Sequence, residues 1–223
     1  AHGETRWSPS SRSLNLGAAL AEAGLRWQMG TGSIGVSPSL LLLSVANRPF
    51  RAADSIRFDW SEVDVDGGMR ALRVESGRYR HAAEYLDLDA DVRSISGNRR
   101  WKFPAAAVES IEIAAGVRNE RNCRGLPDLS NRGAHASVEL GWKLVGADWT
   151  ANALWQVSRF RAPGPDGLGV RRDRFLSLDV TAEWPLSQRL ALRTSLATSD
   201  NRSQPVIYNN RRHAVDIALV ARW

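Results

Sequence analysis

Along most of this chain apolar and polar residues alternate one by one. In GAHASVELGWKL the apolar set is Ala134, Ala136, Val138, Leu140, Trp142 and Leu144, with polar residues or glycine between. DWTANALWQV, FLSLDVTAEW and RLALRTSL repeat the pattern at Trp149, Ala151, Ala153, Trp155; Leu176, Leu178, Val180, Ala182, Trp184; and Leu190, Leu192, Leu196. ESIEIAAGVR does so at Ile111, Ile113, Ala115 and Val117, and LDLDADVRSIS at Leu86, Leu88, Ala90 and Val92. A period of two marks strands with one apolar face. No helical stripe persists; Gly17–Gln28 is the one helix-compatible stretch, and its second half reads almost as well as a strand. With Ser33–Asn47, Ser55–Val65 and Arg70–Arg80 the pattern predicts about eleven strands, and one more in Ser10–Leu25 makes about twelve, within about ten to fourteen.

Alternation alone suits both a soluble sandwich, whose apolar face is its core, and a membrane barrel, whose apolar face meets lipid. Three features favour the barrel. The patterns run roughly 9–13 residues, longer than the ~5–6 of a mean soluble strand and long enough to cross a bilayer at a tilt. Short turns (VGAD, PLSQ, MGTGS, VDGG) alternate with long polar loops at 119–133, 160–174 and 200–211, the asymmetry of outer-membrane barrels. Trp27, Trp142, Trp149, Trp184 and Trp223 all sit at the short-turn end, as in a girdle at a membrane interface, where an indole is half-buried and its N–H stays wet. The expectation is therefore an all-β fold, a closed antiparallel transmembrane β-barrel. It is a single domain over 1–223, with 1–12 irregular or a remnant of an upstream region.

Composition narrows this further. The longest apolar run, about Leu40–Ala46, is far short of the ~18–20 residues of a spanning helix. The net charge is +6, but Lys102 and Lys143 are the only lysines, and the arginines are scattered among acids. That predicts paired or solvated charges and no nucleic-acid partner. Cys123 is the only cysteine, so no internal disulfide forms, and no metal or cofactor signature is present. The opening AHGET lacks the regions of a signal peptide and reads as a mature form whose signal has been removed.

If the apolar parity faces lipid, the other parity lines a lumen. That set includes Asp87, Asp89, Asp91, Arg93, Glu112, His135, Glu139, Asp179, Glu183, Arg193 and Asp216, with Arg57, Asp59, Arg73, Glu75 and Arg118. Such mixed charge either fills a narrow barrel with ion pairs or leaves a hydrated path. Asp87, Asp89 and Asp91 form the strongest run of one sign, expected as a carboxylate ladder facing arginines. His135 and Ser137 with Glu139 superficially resemble the His-x-Ser of the lipid A deacylases. The resemblance breaks at Val138, where that family has Asn, and at Trp149, where it has its acid. His135 and Ser137 would also stand about 7 Å apart along a strand. A catalytic site is therefore not expected.

The chain ends HAVDIALVARW, with Val215, Ile217, Leu219, Ala221 and Trp223 on one parity. This resembles the last strand of bacterial outer-membrane barrels, which the resemblance makes the signal read by the barrel-assembly machinery; autotransporter translocators end similarly. SDNRSQPVIYNNRRHAVDIALVARW and the earlier GSIGVSPSLLLLSVANRPF are also similar to the barrel of Slam-type proteins, the surface lipoprotein assembly modulators. Those barrels are somewhat longer and follow a helical repeat region. The resemblance implies the outer membrane of a Gram-negative bacterium, with membrane lipid and lipopolysaccharide around the barrel. The function expected is a channel or a translocation pore for an unidentified cargo. The alternative is a non-conducting barrel that displays its long loops as an adhesin or anchor.

Overall fold

The computed structural model describes residues 2–6, 16–103, 107–163, 167 and 169–221. The chain is all-β. Its strands are β1 (His2–Arg6), β2 (Leu16–Glu22), β3 (Leu25–Met29), β4 (Gly32–Val45), β5 (Arg48–Val63), β6 (Met69–His81) and β7 (Ala90–Lys102). They continue with β8 (Val108–Asn122), β9 (Asn131–Leu144), β10 (Ala147–Pro163), β11 (Val170–Pro185), β12 (Leu190–Gln204) and β13 (Asn210–Ala221). Each pairs antiparallel with the next in one meander, except that β2 and β3 both pair with β4. These two are halves of one strand, broken at Ala23–Gly24. A Cβ on Gly24 would come within 2.6 Å of the Val36 carbonyl oxygen, so the break needs glycine. The sheet is thus twelve strands wide. It is not closed: β1 and β13 are its edges. The five residues of β1 pair only with Leu16–Leu20, far less backbone than β13 presents.

The tight turns follow from left-handed backbone. Ala46–Asn47 (φ 52° and 61°) joins β4 to β5, and Val145–Gly146 (φ 52° and 72°) joins β9 to β10. Two successive positive φ angles give the type I′ geometry that matches strand twist. The MGTGS, VDGG, VGAD and PLSQ turns all fall at one end of the sheet. The opposite end carries the connections 82–89, 123–130 and 205–209, the ends of β10 and β11 at Pro163 and Val170, and the two-residue turn at 46–47.

Two sequence expectations need correction. The polar stretches expected as long loops are about half strand, because β8 runs to Asn122, β10 to Pro163 and β12 to Gln204, and the loops proper shrink to the connections between. These residues have low strand propensity and no alternation, but each extension finds its neighbour extended too, so the ladder continues. The second correction concerns residues 86–93. Ala83–Leu88 is a 3-10 segment rather than strand. Within β7 the register places Val92 opposite Gly77 and Glu120, on the polar face, and Asp91 and Arg93 on the face of Ile95 and Trp101. Ile95 and Trp101 set the phase of β7, and the apparent alternation upstream belongs to the turn. Of the expected Ser10–Leu25 strand, β2 supplies the part from Leu16; residues 7–15 lie outside the described residues.

Burial is inverted relative to a water-soluble fold. One face carries Ile56, Phe58, Leu72, Val74, Ile113, Val138, Leu176, Leu178 and Leu196, all exposed. Among the described residues no large side chain is fully buried; the buried ones are small, such as Ala53, Ala182, Ala191, Ser33 and Ser203. The accessible surface is 15299 Å² for 24.6 kDa, against about 10,000 Å² for a soluble monomer of that mass. The polar face, by contrast, is mostly half-buried.

Candidate functional site

The polar face is built by register. Residues directly opposite in antiparallel strands share a face, and one row crosses from Ser37 through Arg57, Glu75 and Ser94 to Arg118. The β4–β5 end of this face is lined by hydroxyls: Ser33 bonds Ser61 at 3.0 Å and Ser39 bonds Ser55 at 2.8 Å. Further on, charge dominates. Arg57 donates to Asp59 at 2.7 Å and pairs with Glu22, while Arg73 holds the other Asp59 oxygen at 2.7 Å. Arg100 pairs with Glu112 at 2.7 Å and Glu139 at 3.3 Å, and Asn98 donates to Glu112 at 2.7 Å. Arg193 pairs with Glu183 at 2.7 Å. Three of these contacts reach over an intervening strand: Arg57–Glu22, Arg100–Glu139, and Arg118 to the Tyr79 hydroxyl at 2.8 Å. Each arginine on this list meets a carboxylate, which offsets the cost of desolvating it.

Toward the long-loop end the face gains aromatic rings. Arg118 bonds Glu120 at 2.9 Å and lies 5.3 Å from the Tyr79 ring centre, with Arg51 at 4.4 Å from the same ring. Arg171 packs on Phe160 and Tyr208 at 4.7 and 4.0 Å and pairs with Asp173, which also accepts from Ser203 at 2.6 Å. Between these groups lies a cavity of about 420 Å³ lined by Arg118, Glu120, His135, Gln156, Phe160 and Asp173. His135 sits directly over Gly116, where a Cβ would come 2.6 Å from the imidazole Cε1. Lacking a side chain, Gly116 makes room for the ring.

The residues expected to line a lumen are placed as follows. Glu112, His135, Glu139, Asp179, Glu183, Arg193 and Asp216 all lie on the polar face. Asp179 accepts from Thr181 at 3.4 Å, and Asp216, opposite Ser195, is exposed near the sheet edge. Asp87, Asp89, Asp91 and Arg93 form no ladder there. Asp87 pairs with Arg124 at 2.7 Å beside the 123–130 connection, and Asp89 accepts the His81 backbone N–H at 2.6 Å. Asp91 pairs with Arg78 at 2.7 Å on the apolar parity. Sequence reasoning missed Arg100, Tyr79, Phe160, Arg171 and Asp173. The aromatic residues break the alternation there, so only register could have found them.

His135 and Ser137 both project from the polar face of β9, His135 opposite Gly116 and Gln156, Ser137 opposite Ala114 and Leu154. Among the described residues no group of three or more His, Cys, Asp and Glu side chains is placed to hold a metal ion. Cys123 lies in the connection after β8; partial burial and the nearby Asp91 and Asp89 carboxylates push its thiol up from the ordinary value.

Every tryptophan whose placement is described lies on the apolar face. Trp27, Trp142, Trp149 and Trp184 stand there at the short-turn end, joined by Trp60 and Trp101, which sequence reasoning missed. Trp142 and Trp149 stack with ring centres 6.1 Å apart, Trp184 meets Trp149 edge-on at 5.8 Å, and Trp149 Nε1 donates to the Leu144 carbonyl at 3.1 Å. On β13, Val215, Ile217 and Leu219 are 72%, 70% and 66% exposed on the same face. Ala221 ends the ladder opposite Leu190, and Trp223 lies outside the described residues. Comparison with protein-family models found no match, and comparison with curated proteins found none.

Proposed function

We propose that this chain is an integral outer-membrane β-barrel whose apolar face meets lipid and whose polar face lines a channel or translocation pore. The observation that carries the reading is the inverted burial: large apolar side chains stand exposed in a band on one face, and the other face carries a network of paired charges. Apolar patches on soluble monomers rarely exceed a few hundred Å², and a lipid surround removes that liability. Within a bilayer, unpaired strand edges are too costly to persist, so β13 closes against the β1 edge. The tryptophan cluster supports a membrane interface at the short-turn end, and those short turns favour the periplasmic side. The polar cavity beside His135, with the paired Arg118 and Glu120 in its wall, and the hydroxyl-lined wall at β4–β5 are the open parts of the polar face, and a solute path follows them.

Export of a lipoprotein cargo in the manner of Slam-type barrels is the finer form of this proposal, with the final strand presented to the barrel-assembly machinery. Purified protein added to planar bilayers is expected to give discrete conductance steps, and silent bilayers with demonstrably inserted protein overturn the pore. The ion pairs that fill the polar face favour one second reading, a non-conducting barrel displaying its strand extensions as an anchor or adhesin. A chain that remains in aqueous solution without detergent overturns both.

A further inference from the structure

We propose that the long-loop end of the apolar face is a binding site for a membrane lipid carrying more than one phosphate group, held by Arg132, Arg159 and Arg172. This rests on the membrane reading above. The three arginines stand directly opposite one another on β9, β10 and β11, Arg132 against Arg159 and Arg159 against Arg172. Arg93 and Asn119 continue the same row on β7 and β8, and Arg174 stands one outward position nearer the apolar band on β11. All five arginines are exposed. Like charges directly opposite in a sheet destabilise it. Elsewhere on the sheet most arginines meet carboxylates, on this same face Arg78 with Asp91 and Arg80 with Asp54, but among the described residues Arg132, Arg159, Arg172 and Arg174 form no ion pair, and Arg93 feels Asp91 at longer range. A row of cations without counter-charge fits an anion supplied from outside.

The position of the row says which anion. The three strands β9, β10 and β11 each cross from a tryptophan through an apolar run to an arginine. On β9 the outward residues run Trp142, Leu140, Val138, Ala136, Ala134, Arg132, and β10 runs from Trp149 to Arg159 in the same way. The arginines therefore mark the edge of the apolar band, where lipid phosphates lie above their acyl chains. Between β6 and β9 a groove of about 610 Å³ is floored by Val74, Ile95 and Val117, with Arg93, Asn119 and Arg132 at its long-loop end. That is an acyl-chain surface with cationic groups at the headgroup level. From β7 to β11 the row spans four inter-strand steps, about 19 Å, wider than a single phosphate, which argues for a lipid with several.

The test uses the full chain folded into phosphatidylcholine vesicles with and without a minor fraction of bisphosphorylated lipid A, reading bound lipid by native mass spectrometry and unfolding by denaturant midpoint. Wild type is expected to retain lipid A and to unfold at higher denaturant when it is present. The triple variant Arg132→Gln/Arg159→Gln/Arg172→Gln is expected to lose affinity about five-fold per arginine, about a hundredfold in all. In pure phosphatidylcholine the triple variant is expected to be at least as stable as wild type, because the repulsion is gone. Arg189→Gln, in the turn at the opposite end, is expected to keep the preference. Wild type with no preference for lipid A, or a triple variant that keeps one, overturns the proposal while leaving the membrane reading intact. Equal binding of soluble polyphosphate in detergent, with no lipid preference, overturns it in favour of a soluble polyanion. A chain that never enters the vesicles overturns the membrane reading itself.

Discussion

Leu178→Arg separates a lipid-facing sheet from a water-facing one. Leu178 lies on the apolar parity of β11, six residues from Trp184 and six from Arg172, and is 45% exposed. At about 3.4 Å per residue and a tilt of about 40°, each flank is about 15 Å away along the bilayer normal. In the proposed barrel Leu178 therefore sits at the midplane of a hydrocarbon core about 30 Å thick. An arginine there costs about 2–4 kcal/mol in a transmembrane barrel, whereas a substitution on a water-exposed face stays within about 0.5 kcal/mol. That cost is a factor of about 30 to 900 in the folding equilibrium, against about two-fold on a water-exposed face. Reversible urea unfolding in phospholipid vesicles, followed by tryptophan fluorescence, measures it. Ser177→Arg, one residue away on the polar face, is the control and is expected to cost much less. A Leu178→Arg variant within about 0.5 kcal/mol of wild type would falsify the lipid-facing assignment of this parity.

Other substitutions probe local geometry. Gly116→Ala, whose Cβ meets His135, the Ile95 carbonyl and Ser96 at 2.6–2.7 Å, is expected to destabilise by about 1–3 kcal/mol, whereas Gly97→Ala, with 3.5 Å of room, is nearly neutral in the same titration. Val145→Asn is expected to stabilise by about 1 kcal/mol, because a β-branched residue at φ 52° gives way to one that tolerates left-handed backbone; an unchanged unfolding midpoint counts against strain at that turn. The raised thiol of Cys123 holds less thiolate at neutral pH than a free cysteine. Its iodoacetamide alkylation is therefore expected to be slower than that of glutathione at pH 8 and to keep rising at higher pH. A plateau by pH 8 removes the proposed influence of Asp91 and partial burial.

Much of the architecture was legible where alternation is clean. Ala134–Leu144, Trp149–Trp155 and Leu176–Trp184 reveal strands, parity and the VGAD turn without any structure, because each apolar residue must clear the pleat on one side. The strands were not legible where alternation is counterfeit or absent. The Leu86–Val92 pattern mimics a strand but includes a 3-10 segment. The polar ends of β8, β10 and β12 carry no pattern, yet their ladders persist because neighbouring strands extend equally far. Trp60 and Trp101 stand in weakly patterned strands, so their parity needed the partners Ile34 and Ile111. The arginine row was hidden for a different reason. A row across a sheet takes one residue from each strand, so Arg132, Arg159 and Arg172 look scattered in sequence although they are neighbours in space.

The extension of the ladder beyond the apolar band also decides how the protein meets proteases. Trypsin requires a basic residue in a segment that can leave its hydrogen-bonded partners, and loop tips are where such cleavage concentrates. Among the described residues only Arg124 and Arg189 lie outside the strands. Despite its wealth of arginine, the folded chain should therefore yield few limit fragments. In the proposed orientation, where a membrane bars access to the short-turn end, digestion of intact cells should cut first after Arg124.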